Sequence, residues 1–395
     1  MKRSHRLAYG GAALVVAAAV LSVHLVAASG NSVRSGRVRV VRGNIPPPGL
    51  EVRGDVLVGA DGRSKRLDVP AAGGLLGSAL PIGAVSPDGK TLAYNSFHWN
   101  RSVDRFKSYA ELGIDTGDVL AVPAVRLRDL ASGRERPLEP GSMSVAWRAD
   151  GALAYVRGEP PAYRANLAFT ANVVVRFADG RVEAWTSSPD RYEVVGWAGR
   201  MLLVQREVAG GTPDLLAFDA PGSARTLASS VLFLAISPDG TRALVAQTAA
   251  DDPHPRIRLL RVADGSEIAS IPISDARDPV TDEPLLNVYG PADWRGERAV
   301  MPSETGLLVL RIDDGLRPEQ MLHIDAATMA DGSLLEPRFA GDRTIVAWGG
   351  RPETRPNVQV VQYSCNRFAL TCTRSAAVAP ADAPRPLYDL SGGAR

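Results

Sequence analysis

One short phrase, Ser-Pro-Asp-Gly running into an apolar strand, recurs along this chain and limits its fold more than any other feature. It stands as Ala84-Val85-Ser86-Pro87-Asp88-Gly89-Lys90-Thr91-Leu92-Ala93-Tyr94 and returns as Ala235-Ile236-Ser237-Pro238-Asp239-Gly240-Thr241-Arg242-Ala243-Leu244-Val245. A degenerate copy reads Ala146-Trp147-Arg148-Ala149-Asp150-Gly151-Ala152-Leu153-Ala154-Tyr155-Val156. Proline presets φ for a turn, Asp accepts hydrogen bonds from turn amides, and Gly takes the positive φ that other residues avoid. The phrase is therefore a hairpin. A hairpin repeated every few tens of residues specifies an array of stacked copies.

Two kinds of hairpin alternate, and no long segment has helical periodicity. Six segments fit the phrase: 82–95, 144–157, 194–207, 233–247, 289–301 and 338–349. The second kind is an apolar strand, a small turn and a more polar strand, at 55–69, 125–138, 173–185, 215–227, 258–268, 307–322 and 358–377. One hairpin of each kind makes a four-stranded antiparallel sheet, the blade of a propeller. The phrase, richer in small and aliphatic residues, is expected as the inner pair and the second kind as the outer, solvent-facing pair.

Ser-Pro-Asp-Gly-x-x-aliphatic ahead of an outer hairpin resembles the TolB-like, WD-repeat-like propeller repeat, over roughly residues 55–379. The copies at Ala198-Gly199, Arg295-Gly296 and Gly341-Asp342 depart from it, because they lack the Pro-Asp pair. The resemblance implies an all-β β-propeller of four-stranded antiparallel blades that serves as a ligand- or protein-binding platform. Six inner hairpins argue for six blades. Seven outer hairpins argue for seven, with residues 38–41 supplying the missing inner strand, and seven is the favoured number.

The N-terminus adds a second signal. Lys2, Arg3 and Arg6 precede an uncharged run at 7–30, which is expected as one hydrophobic helix. Basic residues ahead of such a run hold that end in the cytoplasm, so the chain beyond the run is exported. The run is long enough for an uncleaved membrane anchor. Val26-Ala27-Ala28 also offers the small residues of a signal-peptide cleavage site, and His24 interrupts the span. Either reading puts the rest of the chain outside the cytoplasm, membrane-tethered or secreted. The domains expected are 1–30 (signal anchor or signal peptide), 31–49 (linker with a short strand), 50–380 (propeller) and 381–395 (tail). Cys365 and Cys372, the only cysteines, are expected to form a disulfide in this exported setting.

In a four-stranded blade the tight turns gather on one face and the connecting loops on the other. The long connections here are 96–119, 158–172, 248–255, 274–286 and 325–334. Variable loops on a rigid scaffold are where binding concentrates. The first carries Phe97, His98, Trp99, Arg101, Arg105, Phe106 and Tyr109, the aromatic–arginine mixture that interface hot spots favour. Equally, those aromatics can pack on themselves as a cap. The carboxylates Asp251, Asp252, Asp275, Asp278, Asp282 and Glu283 match no calcium-loop spacing, so no metal and no cofactor is expected.

With 45 basic and 43 acidic residues intermixed, no basic stripe points to nucleic acid. No Gly-x-Ser-x-Gly phrase occurs, and no catalytic motif is found, so the chain is not expected to be an enzyme. The partner expected is a protein, peptide or cell-envelope ligand. The alternative is a channel-centred small-molecule binder or metal-dependent enzyme of the lyase or lactonase type, its ligands assembled from several blades.

Overall fold

The computed structural model describes residues 34–42, 51–53, 56–58, 64–66, 83–99, 119–158, 163–164, 170–207, 212–247, 256–272, 292–303, 306–324, 334–349 and 361–374. The expected leader helix at 1–30, the tail at 381–395 and the carboxylate loops at 248–255 and 274–286 lie outside the described residues. Among the described residues no helix is long and apolar enough to cross a membrane.

The described elements are strands, and they run as consecutive meanders. β1 (Arg34–Arg37) and β2 (Arg39–Arg42) come first; β3 (Glu51–Arg53), β4 (Val56–Val58) and β5 (Ser64–Arg66) form a three-stranded antiparallel sheet. The first four-stranded sheet holds β6 (Gly83–Val85), β7 (Thr91–Trp99), β8 (Val119–Asp129) and β9 (Glu135–Pro140). The second holds β10 (Ser142–Trp147), β11 (Leu153–Arg157), β13 (Asn172–Arg176) and β14 (Val182–Ala184), while β12 (Tyr163–Arg164) pairs back onto β8. The third is β15 (Tyr192–Ala198), β16 (Met201–Arg206), β17 (Asp214–Phe218) and β18 (Arg225–Ala228). The fourth is β19 (Val231–Ile236), β20 (Arg242–Gln247), β21 (Arg256–Arg261) and β22 (Glu267–Pro272). The fifth is β23 (Asp293–Arg295), β24 (Arg298–Ser303), β25 (Gly306–Ile312) and β26 (Leu316–His323). The sixth is β27 (Leu334–Phe339), β28 (Thr344–Gly349), β29 (Val361–Asn366) and β30 (Thr371–Arg374).

Strand pleat explains how these sheets stack. Successive side chains point to opposite faces, and here both faces of a sheet meet another sheet. On β16, Leu202 and Val204 share a core with Val156, Val173 and Val175 of the preceding sheet. Leu203 between them shares one with Phe233, Ala243 and Val245 of the following sheet. The pattern repeats on β20, where Leu244 and Ala246 face Met301, Leu308 and Leu310, and on β25, where Leu307 and Val309 face Phe339, Ile345 and Tyr363. That is why the second and third strands read as unbroken apolar runs. The fourth strands β9, β14 and β22 are largely exposed or half-buried, but β13, β17 and β25 are buried and β26 is mostly so, so the second hairpin is not the solvent-facing pair expected of it. Sequential four-stranded meanders packed face to face are the blade arrangement of a β-propeller.

Side chains also tie the first strands of neighbouring sheets. Trp147 Nε1 donates to Ala84 O at 3.0 Å, and Trp197 Nε1 donates to Ala146 O at 3.1 Å. The registers of β10–β11, β15–β16 and β19–β20 each slip by a bulge near the middle of the first strand. In β10 the extra residue is Ser144, whose hydroxyl accepts from Val194 N at 2.9 Å and lies 3.1 Å from Val194 O.

The repeated turn has the chemistry expected of it. Ser237 Oγ donates to Asp239 Oδ1 at 2.5 Å and accepts from Arg242 N at 2.8 Å; Asp239 Oδ1 also takes Thr241 N at 3.0 Å. Ser86 and Asp88 repeat the arrangement at 2.6, 2.9 and 3.1 Å. The degenerate turns at Ala198-Gly199, Arg295-Gly296 and Gly341-Asp342 join equivalent antiparallel pairs without the Pro-Asp dipeptide. Cys365 and Cys372 form the expected disulfide across the β29–β30 pair, buried in the core beside Tyr363.

Two expectations need correction. Residues 38–41 do not supply an inner strand. β1 pairs with β26 and β2 pairs in parallel with β30, so the segment is added at the fourth strands of two neighbouring sheets. The reason is that the last strand of a sheet leaves an open hydrogen-bonding edge, which a passing segment can occupy. Residues 96–99 are not loop either; they continue β7 to Trp99.

Candidate functional site

The connection after β7 is where one sheet departs from the others. β7 has nine residues and β8 eleven, whereas β11, β16, β20 and β24 have five or six. The β7–β8 register is unbroken from Thr91↔Asp129 to Trp99↔Ala121. At about 3.4 Å per residue β8 spans roughly 37 Å, nearly twice a six-residue strand. The far half of this pair is thus a ribbon prolonged toward the end of the sheet where the long connections lie. Val119-Leu120-Ala121-Val122 supplies the β-branched and aliphatic residues that sustain it.

A third strand joins the ribbon. β9 covers the outer edge of β8 only from Arg128 to Ala124. Farther along, β12 takes over, pairing Tyr163 with Ala121 and Arg164 with Val119. Pro123 falls in the interval covered by neither strand, where a missing N–H breaks no ladder bond. β12 belongs to the 158–172 connection of the next sheet, so the structure brings together two long connections that are separate in sequence.

Phe97, His98 and Trp99 sit in this ribbon at register positions opposite Pro123, Val122 and Ala121. Arg101, Arg105, Phe106 and Tyr109 lie outside the described residues. Sequence reasoning missed Tyr163 and Arg164. A two-residue strand has no periodicity to read, and only the flanking Pro160-Pro161 hinted at extended chain.

Two tyrosine–glutamate–arginine groups stand at the base of the ribbon. Glu135 on β9 accepts from Arg128 and lies 3.9 Å from Arg126; burial, then the Glu135 charge, pushes the Tyr94 phenol well above its ordinary range. Glu139 accepts from the fully buried Tyr155 hydroxyl and pairs with Arg157 at 3.3 Å, linking the first and second sheets. Burial and the Glu139 hydrogen bond push the Tyr155 phenol up as well. Both shifts favour the neutral phenol. In the third sheet Arg206 pairs with Asp214 at 2.8 Å and Arg191 with Glu207 at 3.3 Å. These described charges are paired, and among the described residues no group of three His, Cys, Asp or Glu is placed to hold a metal ion. What this surface can do is present strand edges and paired polar groups to another molecule.

No family model and no curated protein matches the chain. Solved structures similar to it include β-propellers. The β-propeller domain of the Trilobed protease from Pyrococcus furiosus is 15% identical, with 78% of this chain and 86% of that one covered and a TM-score of 0.45. TolB from Acinetobacter baumannii is 15% identical, with 66% of this chain and 59% of that one covered and a TM-score of 0.36. The Pyrococcus horikoshii acylaminoacyl peptidase is 18% identical, with 78% and 46% covered and a TM-score of 0.44. This chain spans less than two thirds of TolB and under half of the peptidase. Identities this low, with TM-scores below 0.5, extend the likeness to no residue of the site. One expectation is nevertheless corrected. Acylaminoacyl peptidase, prolyl endopeptidases and oligogalacturonate lyase, all enzymes, are among the similar folds, so the lack of a catalytic phrase does not exclude an enzyme here.

Proposed function

We propose that this protein is a seven-bladed β-propeller outside the cytoplasm, membrane-tethered or secreted, that binds a protein, peptide or cell-envelope ligand through its long-connection end. The β3–β5 sheet is the first blade in this reading. The observation that carries it is the pairing of β12 with β8, which converts two long connections into one prolonged three-stranded surface beside Phe97, His98 and Trp99. The basic-then-apolar N-terminus supports the location.

The test is crosslinking on intact cells with the wild type and a variant lacking residues 97–109, adducts being mapped by mass spectrometry. The expected result is loss of wild-type adducts from the deletion variant and their retention in Lys90→Ala, on the tight-turn end. Recovery of the same partners from wild type and deletion variant removes the ribbon as the interface.

A further inference from the structure

We propose that the N-terminal strap, residues 34–42, is a docking surface for anionic phospholipid headgroups of the membrane that carries the 7–30 segment; this rests on the tethered form of the reading above. Arg-Ser-Gly-Arg-Val-Arg-Val-Val-Arg has four arginines and no acidic residue, in a chain whose net charge is only +2. The strap is held in place. Val38 N donates to His323 O and Arg39 N to Leu370 O, each at 2.8 Å. Val38 is buried in the core shared by the fifth and sixth sheets. Strand alternation then turns its neighbours Arg37 and Arg39 outward, and both are exposed.

These two arginines differ from several others in the sheets. Arg128, Arg258 and Arg298 each meet a glutamate, whereas Arg37 and Arg39 have no carboxylate partner among the described residues. In the parallel β2–β30 register Arg42 stands opposite Arg374. Among the described residues no carboxylate offsets the charge of Arg37 and Arg39, so an anion from outside the fold can.

Chain length says which anion is within reach. Only residues 31–36 separate the apolar run from Arg37, a reach of about 25 Å at full extension. In the tethered form the headgroups of a bilayer holding residues 7–30 are within that reach of Arg37. Polybasic segments beside a membrane gain about fivefold in affinity per arginine on an anionic surface. Charged residues on an edge strand also deter strand addition by another chain; that role predicts no dependence on lipid charge.

The experiment uses the full chain in nanodiscs of phosphatidylcholine or of phosphatidylcholine with phosphatidylglycerol, each with a trace of phospholipid bearing a photoreactive headgroup. Adducts are mapped by mass spectrometry. Adducts on residues 34–42 should be at least about fivefold more abundant with phosphatidylglycerol and fall to background in the Arg37→Glu/Arg39→Glu double variant. They should also decline as salt rises from about 0.05 M to about 0.5 M, a measurement on the wild type that stands if the variant misfolds. Adducts blind to lipid charge, to charge reversal or to salt overturn the proposal and leave the tether intact. A mature protein whose mass, measured from producing cells, lacks the 7–30 segment removes the tether and the proposal together.

Discussion

Gly89 and Gly240 occupy the same place in two copies of one turn, and both have φ +71°. Replacing either with alanine forces an L-residue into the left-handed region, at a cost of roughly 1–2 kcal/mol. Their surroundings differ. A Cβ on Gly89 meets nothing within 4 Å. On Gly240 it comes within 2.8 Å of Gly199 N and 3.0 Å of Ala198 C, backbone atoms of the neighbouring sheet's turn. Those atoms cannot rotate away as a flexible side chain would, so the two turns must part. Overpacking of that kind adds about 1–3 kcal/mol. Gly89→Ala is thus expected to destabilise by roughly 1–2 kcal/mol and Gly240→Ala by roughly 2–5 kcal/mol. Urea unfolding followed by tryptophan fluorescence measures both, with equal m-values confirming that stability alone has changed. Equal losses in the two variants refute the claim that neighbouring turns pack backbone to backbone.

Charges in the same framework give two more expected outcomes. The Ser237 hydroxyl first, then Thr241 N–H, holds the Asp239 carboxyl down to about 2, against an ordinary 3.8. A depressed carboxyl stabilises the fold above its unfolded pKa and loses that contribution as pH falls through the folded one. The stability gap between wild type and Asp239→Asn should therefore be constant above about pH 5 and close between about pH 4 and pH 2; urea midpoints across that range check it, and a gap independent of pH contradicts it. Arg367, 2% exposed, has no hydrogen-bond partner for Nε or Nη1 among the described residues, and its Nη2 lies 3.6 Å from a Glu319 carboxylate already paired with Arg298. Burial lowers its pKa. Arg367→Met is expected to leave stability unchanged or raise it by about 1 kcal/mol. A thermal-melt loss equivalent to more than about 2 kcal/mol shows that the guanidinium is compensated after all.

The alternation of two hairpin kinds was legible because each is local. A turn is written in four residues, and a strand buried on both faces is written as a continuous apolar run such as Leu202-Leu203-Val204 or Leu307-Leu308-Val309-Leu310. The degenerate copies at Gly199, Gly296 and Gly341 are legible too, since a glycine at the right spacing suffices when the flanking strands are apolar. The disulfide was legible because Cys365 and Cys372 flank one tight turn. The candidate site was legible only in part. Composition singles out Phe97, His98 and Trp99, but as loop, because nothing in Ser96-Phe97-His98-Trp99 says that Ala121–Ala124 will pair with it.

By itself, then, the sequence determined the strand types, their order, the turn chemistry and the basic-then-apolar start of the chain. Tertiary structure alone decided that β12 would complete the β8 edge and that the strap would bind the fourth strands of two sheets. The physical reason is that turn geometry and burial depend on residues close together in the chain. An edge is instead filled by whichever distant segment the packed sheets bring within hydrogen-bonding reach, and its partner's address is written nowhere in either segment.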